Sequence, residues 1–184
     1  MTRPTVLLDV DGVVADFTAQ ILRLTHSLFD RRFTPEDVTE WDYKSALGLS
    51  DKEWRLVSTI IGSKDFAFEL PVYPGAISGV QDLAKVADIY FVTSDWRTSP
   101  TWVYDRNRWL ELRFGRELGK QVIHTSHKHL VRGDVFVDDK PSNVAAWASA
   151  WPSGIPVLWK RPYNDGVSNS WEALRQTVEM QAVG

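Results

Sequence analysis

The stretch TVLLDVDGVVADF, residues 5–17, constrains the fold of this chain more than any other segment. Residues 6–8 form an uninterrupted apolar run, which is typical of a strand buried on both faces of a parallel sheet. Asp9 and Asp11 follow where that strand ends, and Gly12 gives the backbone the freedom for a sharp turn. Ligands bind at the carboxyl ends of strands in open α/β sheets. Two acids at such a point favour a divalent metal and a phosphate, whereas an acidic turn without function is the alternative.

The composition is that of an ordinary globular protein, with 43% hydrophobic and 24% charged residues in a chain of 184. The net charge of −3 is spread over mixed signs, which argues against a nucleic-acid polymer as the main partner but leaves small anionic substrates open. The absence of cysteine excludes disulfides, thiolate metal sites and a cysteine nucleophile. The chain begins without a signal-peptide pattern, and its apolar runs stay well short of the roughly 20 residues that span a bilayer. We therefore expect no membrane partner and a cytoplasmic location.

Apolar strand patterns alternate with helical patterns along most of the chain, which predicts a Rossmann-like parallel sheet with helices on both faces. After the first strand, further strands are predicted at residues 89–93, 122–123, 135–137 and 156–159. The segment between the first two strands shows helical periodicity and capping patterns, such as Ser50 followed by Glu53, but no convincing strand. We interpret residues 17–74 as a small helical cap, inserted after the first strand into a core of residues 1–16 and 75–184.

Polar residues follow the later strands at the edge where Asp9 and Asp11 lie. Thr93 and Ser94 end the second strand, Lys128 follows the third, and Asp138 and Asp139 end the fourth. These are the parts that phosphoryl transfer requires. Any one of them alone would be read as a helix cap, a solvated lysine or a turn, but their order at successive strand ends favours function.

Each of these residues has a predicted role. Asp9 is the carboxylate nucleophile that forms an acyl-phosphate, and Asp11 protonates the leaving oxygen and then deprotonates the attacking water. Asp9, a backbone carbonyl near Asp11 and one of the pair Asp138 and Asp139 would hold Mg²⁺. Thr93 would donate to a phosphate oxygen and Lys128 would neutralise the transition state, with Gly12 and Ser94 lining the phosphate site.

These motifs resemble the four motifs of the haloacid dehalogenase superfamily of aspartyl phosphohydrolases, and the insert resembles its helical cap class. Within that superfamily, four segments look like the 5′(3′)-deoxyribonucleotidase family: DGVVADF, SKDFAFELPVYPGA (residues 63–76), VTS (92–94) and VDDKPSN (137–143). The resemblance implies a nucleoside monophosphate substrate, Mg²⁺ as cofactor and Asp9 as nucleophile. It also implies that cap aromatics hold the base, for which Phe17 and then Trp41 are the candidates.

The chain departs from the pattern of that family at three places. Ile61 stands where characterised relatives have a cap tryptophan, and Ser126 stands where some have an arginine. Arg97, in the sequence Asp95-Trp96-Arg97, could replace a lysine of the relatives at the phosphate, and Trp96 could line the pocket. The phosphate chemistry is unaffected, whereas the base and sugar preference become open.

Two rival functions follow: the same chemistry on another small ester, such as a sugar phosphate or phosphoglycolate, and a non-catalytic module that binds a phosphorylated ligand. A homodimer is also left open. The histidines around Lys128 are interpreted as surface or supporting residues rather than a zinc site, because no carboxylate or cysteine joins them at ligand spacing. Residues 160–164 are predicted to form a loop whose charge is solvated rather than catalytic.

Overall fold

The computed structural model describes residues 3–181, and five parallel strands form its sheet. The strands are β1 (Thr5–Leu8), β2 (Asp88–Thr93), β3 (Val122–His124), β4 (Val135–Asp138) and β5 (Ile155–Leu158). Their order in the sheet is β3-β2-β1-β4-β5, so β1 lies at the centre between β2 and β4. The predicted α/β parallel sheet is confirmed, and its topology brings the ends of β1, β2 and β4 side by side.

Helices connect the strands throughout. They are α1 (Phe17–Phe29), α2 (Tyr43–Ala46), α3 (Asp51–Ile61), α4 (Ala76–Leu83), α5 (Trp102–Phe114), α6 (Arg116–Gly119), α7 (Pro141–Ala150) and α8 (Trp171–Gln181). Short 3₁₀ helices span Pro35–Asp37 and Lys128–Leu130. The predicted capping box of α3 is present, because the Ser50 side chain accepts from the Glu53 amide and the Glu53 carboxylate accepts from the Ser50 amide. Within residues 3–181, none of these helices has the length and hydropathy needed to cross a membrane.

Apolar side chains cover both faces of the sheet, as a doubly wound arrangement requires. On one face Leu7 and Phe136 pack with Trp147 of α7, whose ring stacks on Phe136 at a centroid distance of 5.3 Å. On the other face alternate residues of the same strands, such as Leu8 and Val137, join the apolar sides of α4, α5 and α8. Burial of each large side chain contributes about 1.5–3 kcal/mol, so the two clusters stabilise the sheet from both faces. The prediction of helices on both faces is confirmed.

Between β1 and α4 the chain forms α1, the first 3₁₀ helix, α2 and α3, and the two ends of this segment lie next to each other. The Asp16 amide donates to the Pro71 carbonyl at 2.8 Å, and the Tyr73 amide donates to the Val14 carbonyl at 3.0 Å. The chain therefore leaves and re-enters the sheet region as a pair of antiparallel segments. The division into a cap of residues 17–74 and a core stays a prediction, and the outermost residues of that predicted core, 1–2 and 182–184, lie outside the described residues.

Candidate active site

Asp9 stands at the point where β1 gives way to a tight turn. Its amide donates to the Val137 carbonyl at 2.9 Å, so its backbone still belongs to the sheet, and the residue is only 6% exposed. In the turn that follows, the Val10 carbonyl accepts hydrogen bonds from the amides of Val14 and Ala15 at 2.9 and 2.8 Å. Gly12 has a φ of +77°, and a Cβ there would overlap the Asp139 carboxylate. This position therefore requires glycine on two grounds, backbone conformation and space.

Three buried carboxylates meet at this edge of the sheet. Asp9, Asp138 and Asp139 each offer an oxygen, and these atoms lie within 4.8 Å of one another. Lys128 lies among them, with its ammonium 2.6 Å from Asp9 Oδ1 and 2.7 Å from Asp138 Oδ2. Asp138 also accepts from the Lys140 amide and the Asn143 side-chain amide, which fixes its orientation. The parallel topology thus brings together four of the residues that the sequence placed at separate strand ends.

The negative charge of this cluster exceeds its positive charge, since three carboxylates face one lysine. Burial, and next the neighbouring Asp138, raise the pKa of Asp9 well above its usual value. The same two causes raise the pKa of Asp139 to about 7. Burial opposes the charge of Lys128, but Asp9 and Asp138 outweigh it and raise the pKa of this lysine, which therefore stays cationic. A bound divalent cation would offset this excess of negative charge.

The loop after β5 lies over this cluster rather than in solvent. The Tyr163 hydroxyl donates to Asp139 Oδ2, and Asn164 donates to the carbonyls of Asp139 and Trp159 at 2.7 and 2.9 Å. The Arg161 guanidinium donates to the Gly12 carbonyl and lies 3.7 Å from the ring centroid of Tyr73. The loop is present as predicted and Lys160 is exposed, but the prediction that its charge is solvated is wrong for Arg161, because the guanidinium of Arg161 contacts the Gly12 carbonyl and the Tyr73 ring. No periodic pattern marks such a loop in the sequence.

The Asp11 carboxylate is not part of the acidic cluster and is 28% exposed. Arg106 Nη2 donates to both of its oxygens, at 2.6 and 2.8 Å. Arg106 was not anticipated from the sequence, although Trp102, Arg106 and Trp109 share one helical face at spacings of four and three residues. Among the described residues, the cluster of candidate metal ligands does not include the Asp11 side chain, and a role for its backbone carbonyl stays a prediction.

The predicted phosphate contacts lie at the end of β2. Thr93 is fully buried, with its hydroxyl 3.5 Å from the Ser94 carbonyl, and the Ser94 hydroxyl donates to the Thr125 carbonyl at 3.2 Å. Trp96 is half-buried with its ring 6.3 Å from that of Trp102, whereas the Arg97 side chain is exposed. The contacts of these residues with a phosphate stay predictions.

The two aromatic candidates of the insert differ in their surroundings. Phe17 is half-buried and packs edge-on against Tyr43 and Phe66, at centroid distances of 5.6 and 6.1 Å. Trp41 is 50% exposed, and the Lys140 ammonium lies 3.5 Å from the centre of its ring. This contact joins Trp41 to the residue that follows Asp139 in the sequence.

The histidines near Lys128 make other contacts. His124 Nε2 pairs with Asn107 Oδ1 at 2.7 Å, and burial, then Arg106, lower the pKa of His124. His127 and His129 face each other with ring centroids 6.0 Å apart. In the described part of the chain the one candidate metal group is the aspartate cluster, and the role of these histidines as surface or supporting residues stays a prediction.

Comparison with solved structures shows which fold this sheet and insert form. A haloacid dehalogenase-like protein from Burkholderia xenovorans superposes with a TM-score of 0.60 over the whole of both chains, at 17% identity. A haloacid dehalogenase-like family protein from Streptococcus pneumoniae superposes with a TM-score of 0.59, at 11% identity over 95% of this chain and 98% of the other. The chain therefore has the fold of haloacid dehalogenase-like hydrolases.

Comparison with sequences narrows the family. The mouse and human proteins named 5′(3′)-deoxyribonucleotidase, mitochondrial, are each 34% identical over 168 residues, which is 86% of this chain and 74% or 71% of theirs. The human 5′(3′)-deoxyribonucleotidase, cytosolic type, is 30% identical over 73% of this chain and 70% of its own length. The family model described as "5′ nucleotidase, deoxy (Pyrimidine), cytosolic type C protein" matches residues 3–182. Nearly the whole chain is covered, and we conclude that it belongs to the 5′(3′)-deoxyribonucleotidase family within the haloacid dehalogenase-like hydrolases.

Proposed function

We propose that this protein is a Mg²⁺-dependent phosphomonoesterase, a 5′-nucleotidase that hydrolyses (deoxy)nucleoside monophosphates through an aspartyl-phosphate on Asp9. The buried contact of Lys128 with Asp9 and Asp138 supports this proposal most directly. A carboxylate that is held beside a cation, at the rim of an acidic cluster, has both the orientation of a nucleophile and the means to offset the charge of an incoming phosphate.

The donor set fits Mg²⁺. It consists of carboxylate oxygens of Asp9, Asp138 and Asp139, hard ligands that this ion prefers, and they are buried and close together. The raised pKa values of Asp9 and Asp139 support a bound cation, because its charge would favour their ionised forms. When bound, Mg²⁺ would offset charge on the phosphate oxygens and orient the transferring group.

The residues of the chain then have distinct tasks. A carboxylate oxygen of Asp9 attacks phosphorus while the ester oxygen departs with the electron pair of the broken bond and a proton from Asp11. Lys128 and the hydroxyl of Thr93 hold the phosphoryl oxygens during this step. A water molecule next gives a proton to Asp11 as its oxygen attacks phosphorus, which releases inorganic phosphate and restores the Asp9 carboxylate.

The nucleotide part of the proposal rests on the family and on the aromatic residues of the insert. Relatives carry the name deoxyribonucleotidase, and the ring of Phe17 lies in an aromatic group with Tyr43 and Phe66. A sugar phosphate or phosphoglycolate is the second candidate substrate. It is favoured by Ile61, which is fully buried and offers no ring where relatives have a tryptophan.

Location and assembly belong to the same proposal. We propose a cytoplasmic enzyme, although the names of the relatives include both mitochondrial and cytosolic forms. We also keep the homodimer as an open assembly, which light scattering would test. The expected partner is a small phosphate ester.

The test is phosphate release, with Mg²⁺ and with a chelator, from ribo- and deoxynucleoside monophosphates and from several sugar phosphates. We expect Mg²⁺-dependent release that is fastest with deoxynucleotides. Asp9→Asn preserves the shape of the side chain, so it should fold normally but release no phosphate. Release from sugar phosphates alone would retain the catalytic residues and reject the nucleotidase. An inactive wild-type protein would instead favour a non-catalytic phospho-ligand module, and an active Asp9→Asn protein would reject the nucleophile.

A further inference from the structure

Arg106 is a buried arginine to which the mechanism proposed above assigns no role. Its side chain is 0% exposed, and it reaches from α5 to Asp11 at the opening of the active site. The guanidinium carbon lies 5.2 Å from the ring centroid of Trp102 and 5.6 Å from that of Trp109. Two large aromatic rings thus restrict the directions in which this cation can point.

The hydrogen bonding of Arg106 is one-sided. Nη2 donates to both oxygens of Asp11, whereas Nε and Nη1 are buried without a hydrogen-bond partner among the described residues. Each unsatisfied buried donor costs about 1–3 kcal/mol, so a pair that served stability alone would be a poor arrangement. The burial is also unequal, because Arg106 is enclosed while Asp11 is 28% exposed. The contact therefore holds the Asp11 carboxylate at the site, while it leaves two hydrogen-bond donors of Arg106 unpaired among the described residues.

We propose that Arg106 is a positioning residue that holds the Asp11 carboxyl group in the orientation for proton transfer to the leaving oxygen. This inference rests on the proposed phosphatase function. When the bond from phosphorus to the ester oxygen breaks and the bond from Asp9 forms, Asp11 gives up its proton and becomes a carboxylate. Arg106 stabilises that anion and keeps it from rotating into solvent before water returns a proton to it. Positioned proton transfer of this kind contributes about 10²–10⁴-fold to a rate.

The leaving group provides a test that separates positioning from a general structural role. Phenolate needs a proton to leave readily, whereas p-nitrophenolate leaves well without one. Phenyl phosphate and p-nitrophenyl phosphate have similar shapes. Comparing kcat/KM for these two esters, with Mg²⁺ present, therefore shows how much each variant depends on a proton from Asp11. The value of kcat/KM depends only on the steps up to formation of the acyl-phosphate. A deoxynucleoside monophosphate is the third substrate, because its alkoxide leaving group needs the proton most.

Four variants complete the experiment. Arg106→Met keeps the volume but removes the charge, Arg106→Lys keeps the charge, and Asp11→Asn gives the reference for a missing acid. The control Arg116→Gln removes an exposed arginine just beyond the end of α5. Thermal unfolding of each variant would show that it is folded under the assay conditions.

We expect Arg106→Met to lower kcat/KM for phenyl phosphate and the nucleotide at least tenfold more than for p-nitrophenyl phosphate, in the same pattern as Asp11→Asn. Arg106→Lys should recover part of the loss, and Arg116→Gln should match the wild type. Equal losses on both aryl esters, or no loss on either, would overturn the inference while leaving the phosphatase assignment intact. A wild-type protein that hydrolyses none of these esters would instead reject the proposed function itself.

Discussion

Replacing Asp139 with asparagine should make the metal-free protein more stable and at the same time remove its response to Mg²⁺. Asp139 is 5% exposed, and burial, followed by the charge of Asp138, raises the pKa of Asp139 from 3.8 to about 7. Asparagine has nearly the same shape, and its Oδ1 can still accept the Tyr163 hydroxyl. The substitution therefore removes a costly buried charge with little change in packing.

The size of the effect follows from the linkage between pKa and stability. The folded-state pKa of Asp139 lies above the unfolded value of 3.8, so the folded state binds the proton more tightly. Ionisation of this group then destabilises the fold increasingly from about pH 4 to about pH 7, at ~1.4 kcal/mol per pH unit. The cost is about 4 kcal/mol above pH 7 and less than half of that at pH 5. The stability advantage of Asp139→Asn should therefore grow by roughly 2–3 kcal/mol between about pH 5 and pH 8.

Urea unfolding followed by tryptophan fluorescence would measure this difference, with a chelator present and at several pH values. Saturating Mg²⁺ should then stabilise the wild type by about 2.7 kcal/mol at a hundredfold excess over its Kd, but should leave Asp139→Asn unchanged. The control is Asp165→Asn, which removes the same charge from an exposed side chain of the same loop that covers Asp139. Its stability should follow that of the wild type at every pH.

An advantage of Asp139→Asn that stays constant between pH 5 and pH 8 would refute the reasoning, because the titration of the buried carboxyl is what generates the slope. A variant that is less stable than the wild type at pH 8 without metal would refute it as well. A normal response of the variant to Mg²⁺ would mean that Asp139 is not a ligand.

Gly12→Ala places a methyl group against the Asp139 carboxylate at a φ of +77°, so we expect at least a tenfold loss of Mg²⁺-dependent phosphate release; full activity would contradict this packing. Tyr163→Phe removes the hydroxyl donor of Asp139, and calorimetric titration should show Mg²⁺ affinity about 10–100-fold weaker; unchanged affinity would mean that the tyrosine does not orient the ligand. Phe17→Leu keeps an apolar side chain but removes the ring, so KM should rise about tenfold for deoxynucleotides and stay constant for p-nitrophenyl phosphate. A rise for both esters would assign Phe17 to structure alone.

The sequence indicated which charged residues lie together at one edge of the sheet, because the ends of parallel strands meet there. Asp9, Lys128, Asp138 and Asp139 each follow a short apolar run, and the carboxyl ends of parallel strands necessarily share one edge. The helical periodicity between β1 and β2 likewise agrees with the helices found there, whereas the bounds of the predicted cap stay a prediction. These features depend on local patterns, which a single sequence displays directly.

The contacts around Asp11 and Asp139 could not be predicted in this way. Arg106 lies on a helix, where a charged residue is ordinarily expected in solvent, and only its register with two tryptophans marks it as buried. Tyr163 and Arg161 belong to a loop without periodicity, so their contacts depend on where the end of β5 directs the chain. In both cases the contact joins parts of the chain that are distant in sequence, so no local pattern predicts it.

The paired backbone segments at the base of the insert have a consequence for how this enzyme could diversify. Because the Asp16 amide meets the Pro71 carbonyl at 2.8 Å, everything between them is a loop whose ends are already closed by the core. The entropic cost of closing such a loop grows only with the logarithm of its length, so doubling it costs about 0.6 kcal/mol. Segments of very different size could therefore be exchanged at this junction at little cost in loop-closure entropy. Because the acidic cluster lies outside the exchanged segment, such an exchange would be a route by which the substrate preference proposed above could change while the proposed phosphate chemistry is retained.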